Sequence, residues 1–248
     1  MGLEERTVGA DAGESAGRGG PVRIVPLLLI GVVASAAGIA LGIAIDWFPT
    51  AASEQAGPID TLWDVLVIAS VPVFVLVTTI VLYCGYKWQV RSGEEQMDGP
   101  PIHGNTRLEV IWTAAPALLI IGLVLYAYLV LVDIEDAKAD RMKVRVVGEQ
   151  FAWSYYYPSP VEGEKEIESR ELYIPVGRQV EFEIQAKDVI HDFWIPAMRM
   201  KIDAVPGITT RWIGDPTKTG DYPVVCAELC GLGHATMRST VHIVEPAE

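Results

Sequence analysis

The chain has 248 residues, 50% of them hydrophobic, and a formal net charge of −13 at pH 7. Its mean hydropathy of +0.29 is higher than that of an ordinary soluble globular protein. The composition therefore excludes a purely soluble domain and predicts contact with a lipid bilayer. No nucleic acid is expected among the partners.

Three apolar stretches follow a polar N-terminal tail. The tail, residues 1–22, is rich in Gly, Glu and Ala, and we predict that it is disordered. The apolar stretches cover about residues 24–45, 64–86 and 110–132. Because a bilayer crossing requires about 20 apolar residues, we predict a transmembrane region at 23–132 with two or three membrane helices.

Basic residues in the short loops predict the orientation of these helices. The loop between the second and third stretches contains Lys87, Arg91 and Arg107, whereas the segment between the first and second contains no Lys or Arg. Loops with an excess of Lys and Arg stay on the cytoplasmic side. The domain after the third stretch is therefore expected on the extracytoplasmic side of a bacterial-type cell membrane.

The first apolar stretch has two interpretations. It is long enough for a membrane helix, but a basic start followed by an apolar run also describes a secretory signal. Ala51, Ala52 and the Ala56-Gly57 step offer only a weak cleavage site. The length favours retention of the helix, and either outcome leaves the C-terminal domain outside.

Residues 133–248 are predicted to form one extracytoplasmic β domain. Apolar and polar residues alternate at 143–147, 180–184 and 240–244, which is the period of half-buried strands. Pro and Gly residues separate these segments at short intervals. This pattern favours a sandwich or barrel of antiparallel strands.

Potential metal ligands are concentrated in one short segment near the C-terminus. The residues Cys226-Ala-Glu-Leu-Cys-Gly-Leu-Gly-His-Ala-Thr-Met237 supply two thiols, one imidazole, one thioether and one carboxylate. Soft sulfur and imidazole ligands select copper over ions that prefer oxygen. His191, 35 positions before Cys226, offers a second imidazole if two loops meet at one end of a β-sandwich.

The number of thiols decides between kinds of metal site. Structural zinc usually takes four Cys or His ligands and rarely a thioether. A mononuclear blue-copper site takes two His, one Cys and a weak Met, so this chain has one thiol in excess. Cys226 and Cys230 could both bridge a pair of coppers, with His191 and His234 as terminal ligands and Met237 as a weak one. A Cys226–Cys230 disulfide is the alternative, because the outer compartment is oxidising.

The other cysteine and histidines have simpler interpretations. Cys84 lies within the second apolar stretch and is expected to be a small buried hydrophobe. His242, in an alternating segment, and His103, in the inside loop, are expected to have structural or solvated roles.

The arrangement of motifs resembles the subunit II family of cytochrome c oxidase. The chain contains CxExCGxxHxxM at 226–237, HxFWxP at 191–196, KxDxxPG at 201–207, EVIWTxxP at 109–116 and an aromatic segment at 148–158. The likeness leaves mainly the first 60 residues unmatched. It implies a membrane helical hairpin followed by an all-β cupredoxin-like Greek-key sandwich.

The resemblance also implies ligands and ions. Cys226 and Cys230 would bridge the two coppers of the CuA centre. His191 and Met237 would complete one copper, and His234 with the main-chain carbonyl of Glu228 would complete the other. The Glu228 side chain would help bind a magnesium ion shared with subunit I. Glu109 would lie near the mouth of a proton path.

The function implied by the resemblance is electron entry into a respiratory oxidase, an oxidoreductase and translocase. Cytochrome c, or a membrane-bound c-type cytochrome, would donate electrons to CuA. Haem-copper subunit I, accompanied by subunit III, would reduce oxygen to water with proton translocation. Alternatives are a quinol oxidase subunit II, which typically lacks the copper ligands, a nitric oxide reductase type of complex, and copper delivery.

The aromatic segment departs from the family pattern at the implied electron entry point. Many relatives have Trp at the position of Phe151, and in this chain Trp153 is the next alternate aromatic. On a strand, these two residues share a face with Tyr155 and Tyr157, which predicts either a packed sheet surface or a docking face. From residue 133 onward the chain has 20 acidic and 13 basic residues, a net charge of −7 that would attract a basic cytochrome.

Overall fold

The computed structural model describes residues 24–89, 103–161 and 163–246. The predicted disordered tail at 1–22 lies outside these residues, as does Arg91, one of the basic residues used for orientation. The described residues divide into two compact units. One contains residues 24–40, 69–89 and 103, and the other contains residues 41–68, 104–161 and 163–246.

Three helices correspond to the three apolar stretches. They are α1 (Ile24–Ala44), α2 (Ala56–Lys87) and α3 (Thr106–Ile134). Each is long and apolar enough to cross a membrane, with window hydropathies of 2.5, 2.8 and 2.6. The prediction of membrane helices is confirmed in this respect, although α2 begins eight residues before the predicted residue 64.

Glycines allow close contacts between α1 and α2. In the first unit, a Cβ added at Gly38 would lie 2.8 Å from Val71 Cγ1. In the second, a Cβ added at Gly42 would lie 2.6 Å from Val67 Cγ1. Both distances are too short for a real Cβ, so glycine is required at these two positions of α1. Glycines four residues apart commonly bring membrane helices together.

The part of the chain after α3, which we call the outer domain, is a β-sandwich of ten strands in two sheets. The first sheet has the order β3-β2-β1-β5-β8 and the second β4-β10-β9-β6-β7. The strands are β1 (Met142–Glu149), β2 (Ala152–Tyr157), β3 (Ile167–Ser169), β4 (Leu172–Pro175), β5 (Val180–Ala186), β6 (His191–Ile195), β7 (Met200–Ala204), β8 (Thr210–Gly214), β9 (Gly220–Cys226) and β10 (Arg238–Val244).

The expectation of purely antiparallel strands is incomplete. β1 pairs with β5 in parallel, and β4 pairs with β10 in parallel, whereas the other strand pairs are antiparallel. Alternation of apolar and polar residues marks a strand with one buried face but carries no information on the direction of its neighbour. The sheets are therefore mixed.

Alternate residues of both sheets fill one core between them. Val144 and Val146 of β1 are fully buried, and so are Phe182 and Ile184 of β5. Phe193 of β6 contributes from the second sheet, with its ring centroid 6.1 Å from that of Phe182. Burial of such side chains stabilises the fold by roughly 1.5–3 kcal/mol each, and the core fixes the strands that end at the candidate metal ligands.

The segment between α1 and α2 packs against the sandwich. Ala52 is fully buried, and its N–H donates to the Ala197 carbonyl at 2.8 Å while its carbonyl accepts from Thr217 N at 2.9 Å. The Ser53 hydroxyl donates to the Met198 carbonyl at 2.9 Å. Peptide cleavage near Ala51, Ala52 or Ala56 would therefore cut through a segment that is built into the outer domain.

A buried carboxylate holds this segment next to the end of α3. Asp215 accepts hydrogen bonds from Gln55 Nε2 at 2.7 Å, Gln179 Nε2 at 2.9 Å and Lys138 Nζ at 2.6 Å. Burial alone would raise the pKa of Asp215, but these bonds lower it below its usual value. The start of α2 and the linker after α3 are thus joined to the sandwich at one point.

Candidate metal centre

Two neighbouring strands bring the distant ligands together. His191 is the first residue of β6, and Cys226 is the last residue of β9. The two strands are antiparallel partners, with Phe193 opposite Cys226. Because the start of one strand therefore lies beside the end of the other, His191 reaches the segment 226–237, which we call the metal loop.

All six predicted donor groups lie at this end of the sandwich. The Sγ atoms of Cys226 and Cys230 are 3.9 Å apart. His191 Nδ1 lies 4.0 Å from Cys226 Sγ, and the Glu228 carbonyl oxygen lies 3.3 Å from the same sulfur. His234 Nδ1 and Met237 Sδ lie 3.7 Å and 3.9 Å from Cys230 Sγ. The structure thus brings together the whole set that the sequence indicated.

The two cysteines are thiols in this structure. Their sulfurs are 3.9 Å apart, nearly twice the disulfide bond length of about 2.05 Å, and both are free. Burial and the adjacent Cys226 together raise the pKa of the Cys230 thiol to about 11. Two neighbouring thiolates therefore need a bound cation, which is the charge that a metal ion supplies.

The donor set and its burial fit a soft metal. His191, Cys226 and Cys230 place one ligand atom each within 4.8 Å of one another, and no other such cluster occurs among the described His, Cys, Asp and Glu residues. Met237 is fully buried, and the two cysteines are 3–4% exposed. Thiolate, thioether and imidazole ligands in a dry site favour copper over magnesium or calcium.

Asp188 is a functional residue that the sequence reasoning missed. Its Oδ1 lies 2.8 Å from His191 Nε2, while Nδ1 of the same ring faces the Cys226 sulfur. An Nε2–H that donates to this carboxylate leaves Nδ1 free as the metal-binding nitrogen. The signal in the sequence that could have indicated Asp188 is its place three residues before a predicted histidine ligand.

The Asp188 carboxylate is itself held in place. It accepts hydrogen bonds from the main-chain N–H groups of Gln150 and Val189, both at 2.7 Å. Burial alone would raise the pKa of Asp188, but the bonds from His191, Gln150 and Val189 lower it below its usual value. The carboxylate is therefore ionised at neutral pH and can orient the imidazole.

The turn between β1 and β2 covers the metal loop. Gln150 Nε2 donates to the Cys230 carbonyl at 2.6 Å. The Phe151 ring lies against the backbone of Gly231 and Gly233, where an added Cβ would come within 3.1 Å and 2.4 Å of ring carbons. Glycine is thus needed at both positions for the close approach of the aromatic ring.

The two predicted electron-entry residues occupy different environments. Phe151 is 37% exposed, whereas Trp153 is only 2% exposed. The Trp153 ring centroid lies 6.0 Å from that of His191 and 5.1 Å from that of Phe193. Tyr155 is also fully buried. Trp153 and Tyr155 therefore belong to the packed core. Of the two predicted electron-entry residues, only Phe151 lies at the surface, against the metal loop.

The other residues singled out in the sequence have the following surroundings. The Glu228 side chain is exposed. Glu109 lies in the first turn of α3, where its Oε1 accepts the Asn105 N–H at 3.1 Å, so it caps its own helix. His103 is exposed, and His242 bonds to Asp221 and Glu171 at 2.7 Å and 3.1 Å on the sandwich surface.

Both the helical part and the β-sandwich part of the chain are similar in sequence to known proteins. Residues 39–130 match the family model of the cytochrome c oxidase subunit II transmembrane domain, and residues 164–244 match that of its periplasmic domain. A cytochrome c oxidase subunit 2 from Synechocystis sp. is 31% identical, covering 89% of this chain and 79% of the relative. One from Thermostichus vulcanus is 34% identical, covering 89% of this chain and 82% of the relative.

A solved structure is also similar in sequence. It is the periplasmic domain of subunit II of cytochrome oxidase from Bradyrhizobium japonicum, with 33% identity and a TM-score of 0.40, covering 45% of this chain and 88% of that chain. The two family-model matches agree with the order of helices and sandwich described above. The chain belongs to the cytochrome c oxidase subunit II family.

Proposed function

We propose that this chain is the electron-entry subunit of its haem-copper oxidase, accepting electrons from a c-type cytochrome at a dinuclear CuA centre and passing them to subunit I. Subunit I would reduce oxygen to water with coupled proton translocation. The observation that carries this proposal is the convergence of the two thiols, 3.9 Å apart, with two imidazoles, a thioether and a carbonyl.

Each donor has a distinct part in holding two copper ions. Cys226 and Cys230 would bridge them. His191 and Met237 would complete one ion, and His234 with the Glu228 carbonyl would complete the other. Bound in this way, the copper pair supplies one-electron redox chemistry.

The surrounding residues favour electron relay over catalysis. Buried Met237 and His191 exclude water from the donors, and the protein donors leave no position for a substrate. Asp188 fixes the His191 ring, and Gln150 holds the Cys230 carbonyl. A centre held this rigidly changes little in geometry when it gains an electron, which suits repeated transfer.

The surface around the metal loop fits a docking partner. Phe151, Ile190, Leu229 and Leu232 are 37%, 46%, 78% and 107% exposed, and we call them the apolar rim. Exposed apolar patches on a soluble domain commonly mark interaction sites. With the outer-domain net charge of −7, the rim supports docking of a basic cytochrome c at Phe151.

Further partners follow from family membership. The exposed Glu228 side chain is available for a magnesium ion shared with subunit I. Glu109, at the start of α3, is proposed to lie near a proton-path mouth, in addition to its capping bond. Subunit III is a further expected neighbour of the helices.

Purification of the complete chain with its complex, followed by copper analysis, tests the proposal. We expect two coppers per chain and an electron paramagnetic resonance signal from one unpaired electron shared between them. Cys226→Ser should abolish this signal because it removes a bridging thiolate. Cys84→Ser is the matched control, since Cys84 is a free cysteine on α2 that is not among the proposed ligands. A single-copper signal in the native protein would contradict the proposal.

A further inference from the structure

An ion pair joins the outer domain to the beginning of α2. Arg199 Nε donates to Asp60 Oδ1 at 2.7 Å, and another guanidinium nitrogen donates to Asp60 Oδ2 at 2.8 Å. Asp60 lies in the first turns of α2, a candidate membrane span. The two residues are 139 positions apart in the sequence, so the pair is a long-range connection.

The environment distinguishes this pair from an ordinary surface ion pair. The Arg199 side chain is only 5% exposed. Its remaining terminal nitrogen donates to the Pro196 carbonyl at 3.1 Å, and its guanidinium lies 4.7 Å from the centre of the Phe48 ring. A two-bond arginine–carboxylate fork is geometrically specific, whereas exposed single pairs contribute little.

Arg199 also has an unusual backbone. With φ of 56°, it is the one non-glycine residue with a positive φ among the described residues. Residues other than glycine, asparagine and aspartate rarely adopt this left-handed conformation. The conformation directs the chain from the short turn at Pro196–Met198 into β7. The course of the chain at this turn therefore depends on the backbone conformation of Arg199.

The turn lies at the opposite end of β6 from the metal ligand. β6 and β7 form a hairpin in which His191 pairs with Ala204 at one end and Ile195 pairs with Met200 at the other. A five-residue strand spans roughly 13–17 Å. β6 is also hydrogen bonded to β9, which ends at Cys226. The hairpin thus connects the Asp60–Arg199 pair to two copper ligands through continuous sheet.

The same turn receives a second attachment from the segment before α2. The Ala52 N–H bonds to the Ala197 carbonyl, and the Ser53 hydroxyl bonds to the Met198 carbonyl. These contacts fix where the chain enters α2. With the attachment at Ala52 and Ser53 alone, the first turns of α2 could pivot against the sandwich. The fork at Asp60 lies more than one helical turn further along the chain, and it therefore fixes the direction of these turns.

We propose that Asp60 and Arg199 are positioning residues for electron transfer, because their fork holds the β6–β7 hairpin, and with it the metal loop, at a fixed distance and angle from the first turns of α2. This inference rests on the proposed electron-entry function. If subunit I is the partner, as proposed, its electron acceptor would lie at a set distance from the first turns of α2. Since electron transfer slows steeply with distance, a pivoting outer domain would spend much of its time in slow geometries.

The test uses the complete oxidase complex with Asp60→Asn and Arg199→Lys. Asn keeps the size of Asp but not its charge, and Lys keeps the charge of Arg but not its fork. Because loss of a productive geometry lowers transfer rates strongly, we expect transfer from reduced copper to haem to slow by about fivefold or more. The copper content and the copper spectrum should be unchanged.

A matched control is available within the sandwich. Arg145 and Glu166 also form an arginine–carboxylate pair, but both belong to the outer domain. Glu166→Gln should leave the transfer rate at the native value. A second readout is the distance between the copper electron spin and a nitroxide attached at position 61 in a Cys84→Ser background. Its distribution should broaden in Asp60→Asn and not in Glu166→Gln.

The outcomes separate this inference from the function on which it rests. A native complex without a dinuclear copper signal would overturn the electron-entry function itself. Native copper with an unchanged rate and an unchanged distance distribution in Asp60→Asn would overturn the positioning role alone. Loss of copper or of the complex in both variants would also overturn it, by assigning the pair to assembly.

Discussion

At the scale of single residues, the candidate metal centre depends on Asp188, which is not one of the proposed ligands. Asp188 reaches His191 Nε2 at 2.8 Å and is held by two main-chain N–H groups. Its position selects the imidazole nitrogen that faces Cys226. The ligand types were evident from the sequence because Cys, His and Met have distinctive chemistry, but Asp188 is one of many carboxylates in an acidic chain.

We predict that Asp188→Ala lowers copper affinity by about 10- to 100-fold, because partners of this kind fix the orientation and tautomer of the ligand. Competition with a copper chelator measures the change. Asp221→Ala is the control, since Asp221 bonds to His242 on the sandwich surface. Equal copper affinities of the native and Asp188→Ala proteins would refute an orienting role.

At the scale of elements, the connection between helices and sandwich is more extensive than a tether. The segment from Phe48 to Asp60 contributes a buried alanine, backbone bonds and an ion pair to the outer domain. α1 leads directly into this segment, and Gly38 and Gly42 allow it to approach α2. Both features favour a first helix that remains in the mature protein.

We predict that Gly38→Leu destabilises the full-length protein by about 1–3 kcal/mol, because the larger side chain cannot fit against Val71. The free energy of unfolding in detergent provides the measurement. Gly31→Leu, at a position with nothing within 4 Å of an added Cβ, should have little effect.

We also predict that the mature protein keeps α1, so its intact mass should include this helix. A mature chain that begins at or after Ala52 would contradict the retention of α1.

At the scale of the whole molecule, charge and apolar surface are complementary. The outer domain carries a net charge of −7, while the apolar rim lies next to the metal loop. Long-range attraction would bring the proposed basic partner to this acidic domain, and short-range apolar contact would then hold it at the proposed site of electron transfer.

We predict that the second-order rate of reduction by a basic c-type cytochrome falls by about tenfold or more between low and high ionic strength. Stopped-flow reduction of the copper-loaded complex measures this rate. An uncharged small-molecule reductant is the control and should show little salt dependence. A cytochrome rate that is independent of salt would show that the acidic surface does not steer the donor.

The sequence by itself determined the three long apolar helices, the β character of the outer domain and the five side chains that we propose as copper ligands. These properties depend on local periodicity, on apolar length and on residue chemistry within short motifs. The tertiary structure decided the parallel pairing of β1 with β5 and β4 with β10, and it separated exposed Phe151 from buried Trp153. It also placed Asp188 behind His191 and joined Asp60 to Arg199. Such contacts depend on which distant segments become neighbours in the fold, and a local sequence pattern carries no information on that pairing.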